Sequence, residues 1–237
     1  MKSESDSDKS SSGNLIWAAT DQLNINIPYS LVSVKKELEN AEGGHDWFHI
    51  ERVYKNSLLI ASEENVDLQI VSLGALLHDI ADSKFHGGDE TISPTKARKF
   101  LETQKISEET IIHVIKIIEN ISFNGGNKSQ HFKSKELAVV QDADRLDAIG
   151  AIGIARAFNY GGFKNRALYD PEIIPNLTMT PAEYKSSKAP TINHFYEKLL
   201  LLKDLMNTET GERLAKERHL FMENFLTQFY GEWKGEK

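Results

Sequence analysis

Two histidines and two aspartates on three predicted helices form the most informative pattern in this sequence. His49 lies in WFHIERV, His78 and Asp79 end the apolar run GALLHD, and Asp144 follows the apolar approach LAVV in QDADRLD. Ionisable side chains that reach a protein interior are normally paired or bound to metal. Two imidazoles and two carboxylates suit Mn, Fe, Co or Zn, and suit Mg less well. A divalent ion held there would activate water and polarise a phosphoryl oxygen, as a hydrolase requires.

Three aspartates in QDADRLD compete for a place in this site. On a helix, Asp142 and Asp144 are about 200° apart, whereas Asp144 and Asp147 are about 60° apart and share a face. Only one of these faces can meet the helix of His78. If Asp144 points inward, it reaches a shared metal and Asp147 becomes a partner of the ligands.

A second histidine offers an alternative to His49. His45 and His49 have the i, i+4 spacing of a helical metal pair. Gly43 and Gly44 precede His45, and Asp46 is suited to cap the helix, which places His45 before the first turn. We therefore choose His49 as the ligand, and His45 as a residue that either contacts the substrate or supports the ligands from behind. A lone histidine such as His49 is also compatible with an ordinary core residue, and His78 with Asp79 is compatible with a surface pair.

The composition excludes several classes of protein. The chain has 237 residues, no cysteine and a net charge of −7, from 28 Lys and Arg against 35 Asp and Glu. Disulfides and Cys-ligated metals are excluded, and a general binder of nucleic-acid polymers is disfavoured. No run approaches the roughly 18 apolar residues of a membrane span, and the N-terminus lacks the apolar core of a secretory signal. We therefore expect a cytoplasmic protein with no membrane contact, in which a local metal or basic cluster overcomes the global charge if the substrate is anionic.

The periodicity of apolar residues predicts an all-α fold. Residues 1–14, rich in Ser and charge, are predicted to be a disordered tail, and residues 15–237 a single domain. Asp46, Ser93 before Pro94, and Ser107 are helix-start signals. The segment 162–190 is predicted to be a long loop. The predicted helices span 29–40, 46–63, 67–80, 94–104, 107–121, 134–149, 151–160, 191–206 and 209–232.

These motifs, in this order, resemble those of the HD-domain metal-dependent phosphohydrolases. GHDWFHIERV, GALLHDIADSKF, DADRLDAIGAIGIARAF and the C-terminal TETGERLAKERHLFM are similar to the nucleotide pyrophosphohydrolase-like branch over roughly residues 29–234. The resemblance implies an α-helical HD-domain bundle with additional C-terminal helices, and a divalent metal, Mn by preference, with Mg, Co, Fe or Zn as alternatives. It also implies hydrolysis of nucleoside triphosphates to monophosphates and pyrophosphate.

The positions of four further residues in the sequence indicate roles in catalysis or phosphate binding. The resemblance places an acidic catalytic residue four after His78, which is Asp82, and a carboxylate one turn beyond His78 could orient or deprotonate water. Lys84 could meet a phosphate or be a solvated lysine. Arg52 and Arg145 could bind phosphate or form structural ion pairs with Asp142 or Asp147.

The expected partner is a small phosphorylated molecule of the nucleotide class, bound by a monomer or homodimer. Two alternatives remain open at the level of sequence. One is a 5′-nucleotidase-type phosphomonoesterase that uses the same metal, and the other is a sensor that binds metal and nucleotide without cleavage.

Overall fold

The computed structural model describes residues 46–81, 91–121 and 132–237, and within these ranges the chain is helical with no β-strand. This confirms the predicted all-α fold. The helices are α1 (Trp47–Ala61), α2 (Leu68–Leu77), α3 (Ile92–Thr103), α4 (Glu108–Asn120), α5 (Lys135–Asp147), α6 (Gly150–Phe163), α7 (Pro181–Ser186), α8 (Thr191–Glu197), the 3₁₀ helix η1 (Leu199–Leu205) and α9 (Glu209–Trp233). None of these helices combines the length and the apolar character that a membrane crossing requires.

Helix α5 lies at the centre of the packing. It contacts α1, α2, α4, α6 and α9, and α1 also packs directly on α2. The side chains at these contacts are apolar and fully buried, as Val53 in α1, Leu76 in α2 and Val140 in α5 illustrate. Burial of about 25 cal/mol per Å² of apolar surface stabilises this arrangement. The three helices that carry the candidate metal ligands therefore form one packed unit.

Two of the three predicted helix-start signals are confirmed. The Asp46 side chain accepts a hydrogen bond from the His49 backbone N–H, and Ser107 accepts one from the backbone of α4. The prediction for Ser93 is wrong, because α3 begins at Ile92 and Pro94 is its third residue. Proline is tolerated there because the first N–H groups of a helix have no acceptor within the helix.

The region between α6 and α9 differs most from the sequence prediction. Helix α7 forms inside the predicted loop, where Thr180 and Glu183 make a capping box. The single helix predicted for 191–206 is divided at Lys198, whose φ of −146° is not helical. Beyond it, Leu199 and Leu202 are both buried, and a spacing of three residues suits the three-residue turn of a 3₁₀ helix.

The other predicted helices in the described ranges begin and end within three residues of the observed ones. The predicted tail 1–14 and helix 29–40 lie outside the described residues.

The C-terminal helix is fixed to α5 through Asp142, which is completely buried. Its carboxylate accepts hydrogen bonds from the backbone and side chain of both Asn207 and Thr208, at 2.8–2.9 Å. Thr208 in turn caps α9. A Cβ atom at Gly211 would collide with the Asp142 carboxylate, so this close approach requires glycine. Asp142 therefore has a structural role on the face of α5 that points away from Asp144.

Replacement of Asp142 by alanine tests this anchor. We expect Asp142→Ala to lower the free energy of unfolding by about 2–4 kcal/mol, because buried donors would lose their acceptor. Asp204→Ala is the matched control, since Asp204 is exposed on η1. Urea unfolding followed by circular dichroism measures both. Equal stability of the two variants would show that the carboxylate does not anchor α9.

Candidate metal site

His49 is positioned by the first turn of α1 and by a carboxylate from α5. Its side chain is 2% exposed, and its Nδ1 lies 2.8 Å from Asp147 Oδ2. A carboxylate can only accept, so Nδ1 carries the proton and Nε2 presents its lone pair. Burial lowers the pKa of His49 by more than the hydrogen bond to Asp147 raises it. The ring is therefore held neutral, in the form that binds metal.

His78 is fixed in the same tautomer by a different partner. It caps the C-terminus of α2, and its Nδ1 lies 2.8 Å from the Ala75 carbonyl oxygen, which can only accept. In the neutral ring, Nε2 again carries the lone pair. The Nε2 atoms of His49 and His78 lie 3.3 Å apart, and when both rings are neutral with the proton on Nδ1, neither Nε2 can donate a hydrogen bond to the other. Two like lone pairs facing each other at this distance favour a shared cation between them.

The separation of the two nitrogens fits one ion. Two ligands at bond lengths of about 2.0–2.2 Å and at an angle between about 90° and 109° are about 3–3.5 Å apart. The observed 3.3 Å lies in this interval. The donor set also fits, because Asp79 has a carboxylate oxygen within 4.8 Å of a nitrogen of each histidine. The residues present therefore match a divalent metal in both distance and chemistry.

Asp144 extends the cluster from α5. Its Oδ1 lies 3.6 Å from His49 Nε2, and its side chain is partly exposed. Asp144 and Asp147 share the face of α5 that meets α1, while Asp142 points to α9, as the helical spacing predicts. The structure thus brings ligand atoms of His49, His78 and Asp79 within 4.8 Å of one another, places Asp144 beside His49, and places Asp147 behind His49.

Asp147 is the centre of a network that includes two arginines. Its carboxylate is 1% exposed and accepts hydrogen bonds from Arg52 Nε at 2.6 Å and from Arg156 Nη1 at 2.5 Å. Burial raises the pKa of Asp147, but the hydrogen bonds from His49 and Arg52 and the charge of Arg156 outweigh it and hold the pKa well below its usual range. Asp147 and the two guanidinium groups carry a formal net charge of +1, while Asp79 and Asp144 contribute −2, so these protein groups together sum to −1. The two arginines therefore reduce the negative charge that an anionic substrate would meet, and a divalent ion would be needed to make it positive.

Arg156 was not identified from the sequence. Helix α6 turns back after α5 through Gly150, whose φ of +72° favours glycine. That turn brings Arg156 of α6 to both the side chain and the carbonyl oxygen of Asp147. The only sequence signal is the single charge in the otherwise uncharged helix GAIGIARAFNYGGF. Such a charge indicates a buried partner, although its spacing from Asp147 does not reveal which one.

The other predicted site residues have different positions. Arg145 donates a hydrogen bond to the Leu205 carbonyl oxygen and lies 3.5 Å from Asp142, so its guanidinium is held in contacts that support η1 and α9. Arg52 remains about one-third exposed while it binds Asp147. Asp82, Lys84 and His45 lie outside the described residues.

Comparison with known proteins identifies relatives of this arrangement. Residues 47–149 match the HD domain family model. The chain is 40% identical to the Bacillus subtilis protein YpgQ over 196 residues, which cover 82% of this chain and 87% of YpgQ. The crystal structure of an HD-superfamily hydrolase from Bacillus thuringiensis is similar, with a TM-score of 0.70, 42% identity and coverage of 88% and 96% of the two chains. The structure of YpgQ in complex with ADP has a TM-score of 0.68, 38% identity and coverage of 86% and 93%.

Removal of the charge at Asp147 tests whether it orients His49. We expect Asp147→Asn to weaken Mn²⁺ binding about 10- to 100-fold, because the amide no longer enforces the Nδ1–H tautomer. Glu51→Gln is the control, since Glu51 is on the same helix and pairs with Lys55 at the surface. Titration calorimetry on folded protein gives both affinities. An unchanged Mn²⁺ affinity in Asp147→Asn would contradict the role of this carboxylate.

Proposed function

We propose that this chain, which belongs to the HD-domain family and is similar to a protein described as an HD-superfamily hydrolase, hydrolyses nucleoside triphosphates to nucleoside monophosphates and pyrophosphate. The observation that carries this proposal is the pair of facing Nε2 atoms of His49 and His78, 3.3 Å apart, with two aspartates beside them. Nothing in a purely structural histidine pair requires both rings to be fixed with their lone pairs toward one point.

In this proposal, His49, His78, Asp79 and Asp144 hold a divalent ion, with Mn²⁺ as the preferred metal. Two neutral imidazoles and two carboxylates form a donor set of intermediate hardness, which suits Mn²⁺ better than Mg²⁺. When bound, such an ion would supply Lewis acidity toward a phosphoryl oxygen and would lower the pKa of a bound water.

The cationic side chains beside the ligands are proposed to bind the phosphates. Arg52 uses part of its guanidinium on Asp147, and its exposed remainder can donate to phosphate oxygens. Lys84 and His45 are retained as proposed substrate contacts on the grounds of sequence position. For Arg145 we propose the structural role. If its guanidinium moved to a substrate phosphate, the buried carboxylate of Asp142 would lose its neighbouring positive charge and the Leu205 carbonyl oxygen would lose a donor.

Proton transfer is assigned to Asp82. Because Asp82 follows His78 by four residues in the sequence, we propose that its carboxylate orients the attacking water and accepts its proton. The leaving pyrophosphate develops negative charge, which Arg52 and Lys84 are proposed to neutralise. Asp147 has a positioning role, since it holds both His49 and Arg52 in the geometry that these steps require.

The nucleotide class is supported by the relative YpgQ, whose structure was determined with ADP. Because YpgQ is 40% identical to this chain, the complex supports a nucleotide as the ligand of this chain as well. The proposed pyrophosphohydrolase and a phosphomonoesterase cleave different phosphate bonds, and a sensor cleaves none.

Product analysis decides among these functions. Metal-stripped protein is incubated with nucleoside triphosphates and monophosphates, with and without Mn²⁺, and pyrophosphate is separated from phosphate. We expect pyrophosphate from triphosphates only with Mn²⁺. Asp79→Ala should lose bound metal and turnover together, whereas the exposed control Asp204→Ala should retain both.

Three other outcomes of the same experiments would overturn parts of the proposal. Phosphate from monophosphates would assign a phosphomonoesterase, and nucleotide binding without turnover would assign a sensor. An active Asp79→Ala protein with its full metal content would remove Asp79 from the site.

A further inference from the structure

Arg218 of α9 connects the C-terminal helix to both helices that carry the Asp147–His49 pair. Its Nη1 donates to the carbonyl oxygen of Leu146 at 2.5 Å, and Leu146 directly precedes Asp147, the last residue of α5. Its Nη2 donates to Oδ1 of Asn56 on α1 at 3.2 Å. The side chain is partly buried. One guanidinium therefore joins α1, α5 and α9 beside the candidate metal site.

The contact at Asn56 lies one helical turn from the contacts that orient His49. Asn56 follows Arg52 by four residues on α1, and its Nδ2 donates at 3.4 Å to the carbonyl oxygen of Ala143, which precedes Asp147 by four residues on α5. The Arg52–Asp147 and Asn56–Ala143 contacts thus follow one another between two antiparallel helices. A slide of one residue would move a helix by about 1.5 Å, enough to break the 2.8 Å bond from His49 Nδ1 to Asp147.

The aliphatic stem of Arg218 also packs against the turn between α5 and α6. A Cβ atom at Gly150 would lie 3.0 Å from both Cβ and Cγ of Arg218, which is closer than ordinary van der Waals contact. The same turn brings Arg156 to the Asp147 carboxylate. Arg218 therefore supports Asp147 from two directions, through the carbonyl group before it and through the turn after it.

The contacts of Arg218 act on the backbone around Asp147 and leave its carboxylate to other partners. Among the described residues, the guanidinium donates to two neutral acceptors, the Leu146 carbonyl and the Asn56 amide. Burial lowers the pKa of Arg218, and the negative charge of Asp147 acts in the opposite direction. A cation at this position also suits the end of α5, where the last carbonyl groups have no donor within the helix.

We propose that Arg218 is a positioning residue of the metal site, which acts through Asp147 on His49. It fixes the end of α5 and the register between α1 and α5, so that the Asp147 carboxylate meets Nδ1 of His49 and Nε2 faces His78. The inference rests on the metal-binding part of the proposed function, and it does not depend on which phosphate bond is cleaved.

Replacement of Arg218 by glutamine tests the proposal in the full chain. Glutamine keeps part of the stem but lacks the fork that reaches Leu146 and Asn56 together. We expect Arg218→Gln to weaken Mn²⁺ binding about 3- to 10-fold in titration calorimetry. Arg218→Lys, which keeps the charge without the planar fork, should recover part of this loss.

The tautomer of His49 provides a second readout, in metal-free protein. Long-range proton–nitrogen NMR distinguishes the two tautomers of an imidazole ring, and the His49 signals are assigned by their loss in His49→Gln. We expect a single Nδ1–H tautomer in the unaltered chain and a mixture of both tautomers in Arg218→Gln, because the Asp147 carboxylate is then less firmly placed.

Asn56→Leu interrupts the same connection at its other end. Because Arg218 and Asn56 act through one chain of hydrogen bonds, the double variant should weaken Mn²⁺ binding no more than the stronger of the two single variants. Additive losses would contradict the shared role of the two side chains.

Two control variants on α9 separate positioning from stability. Arg213→Gln removes an exposed pair with Glu63, beyond the end of α1 that is farther from His49. Leu226→Ala opens space in the core about two turns beyond Arg218 and should lower the urea midpoint. Both controls should keep the Mn²⁺ affinity and the His49 tautomer of the unaltered chain.

Unchanged Mn²⁺ affinity and an unchanged His49 tautomer in Arg218→Gln would overturn the proposal. An equal loss of affinity in Leu226→Ala would also overturn it, because general stability would then explain the effect. If Arg218→Gln fails to fold, Asn56→Leu decides by the same two readouts.

These outcomes are distinct from failure of the proposed function. If the unaltered chain releases no pyrophosphate, the proposed reaction is rejected, while the Mn²⁺ affinity and the His49 tautomer still report on Arg218. If the chain releases pyrophosphate and neither readout changes in Arg218→Gln, the positioning role alone is rejected. If the unaltered chain binds no Mn²⁺, the metal site and the positioning role are rejected together.

Discussion

The hydrogen bond from His49 Nδ1 to Asp147 is the interaction on which the candidate site depends. It fixes the tautomer of a buried imidazole, so that Nε2 faces the equivalent atom of His78. The same carboxylate holds Arg52 and Arg156, which places two cations beside the ligands in a chain with a net charge of −7. The orientation of His49 and the positions of the two neighbouring arginines are therefore set by one buried side chain on α5.

Helix α5 connects this chemistry to the stability of the fold. One face carries Asp144 and Asp147 to α1 and α2, and another carries Asp142 to the start of α9. Because the two faces belong to one rigid helix, the anchor of the C-terminal helix also fixes the direction of the ligands.

Much of the fold could be predicted from local spacing, whereas the grouping of His49, His78 and Asp144 was predicted from the resemblance to the HD-domain phosphohydrolases. Helical periodicity placed Asp144 and Asp147 on one face, and apolar runs indicated which ionisable residues enter the interior. Arg156 could not be found, because its contact with Asp147 depends on the left-handed backbone at Gly150. The orientation of Arg145 toward Leu205 and the break at Lys198 depend on how η1 packs, which local pattern does not encode. The roles assigned to Asp82, Lys84 and His45 remain predictions.

The most direct test of the account is anomalous diffraction from a crystal grown with Mn²⁺. The account predicts an anomalous peak within about 2.0–2.3 Å of Nε2 of both His49 and His78, with carboxylate oxygens of Asp79 and Asp144 completing the contacts. It also predicts that Nδ1 of His49 still faces Asp147 when the ion is bound. An anomalous peak that contacts neither histidine, or no peak at saturating Mn²⁺, would contradict the central claim that the two facing imidazoles bind a divalent metal.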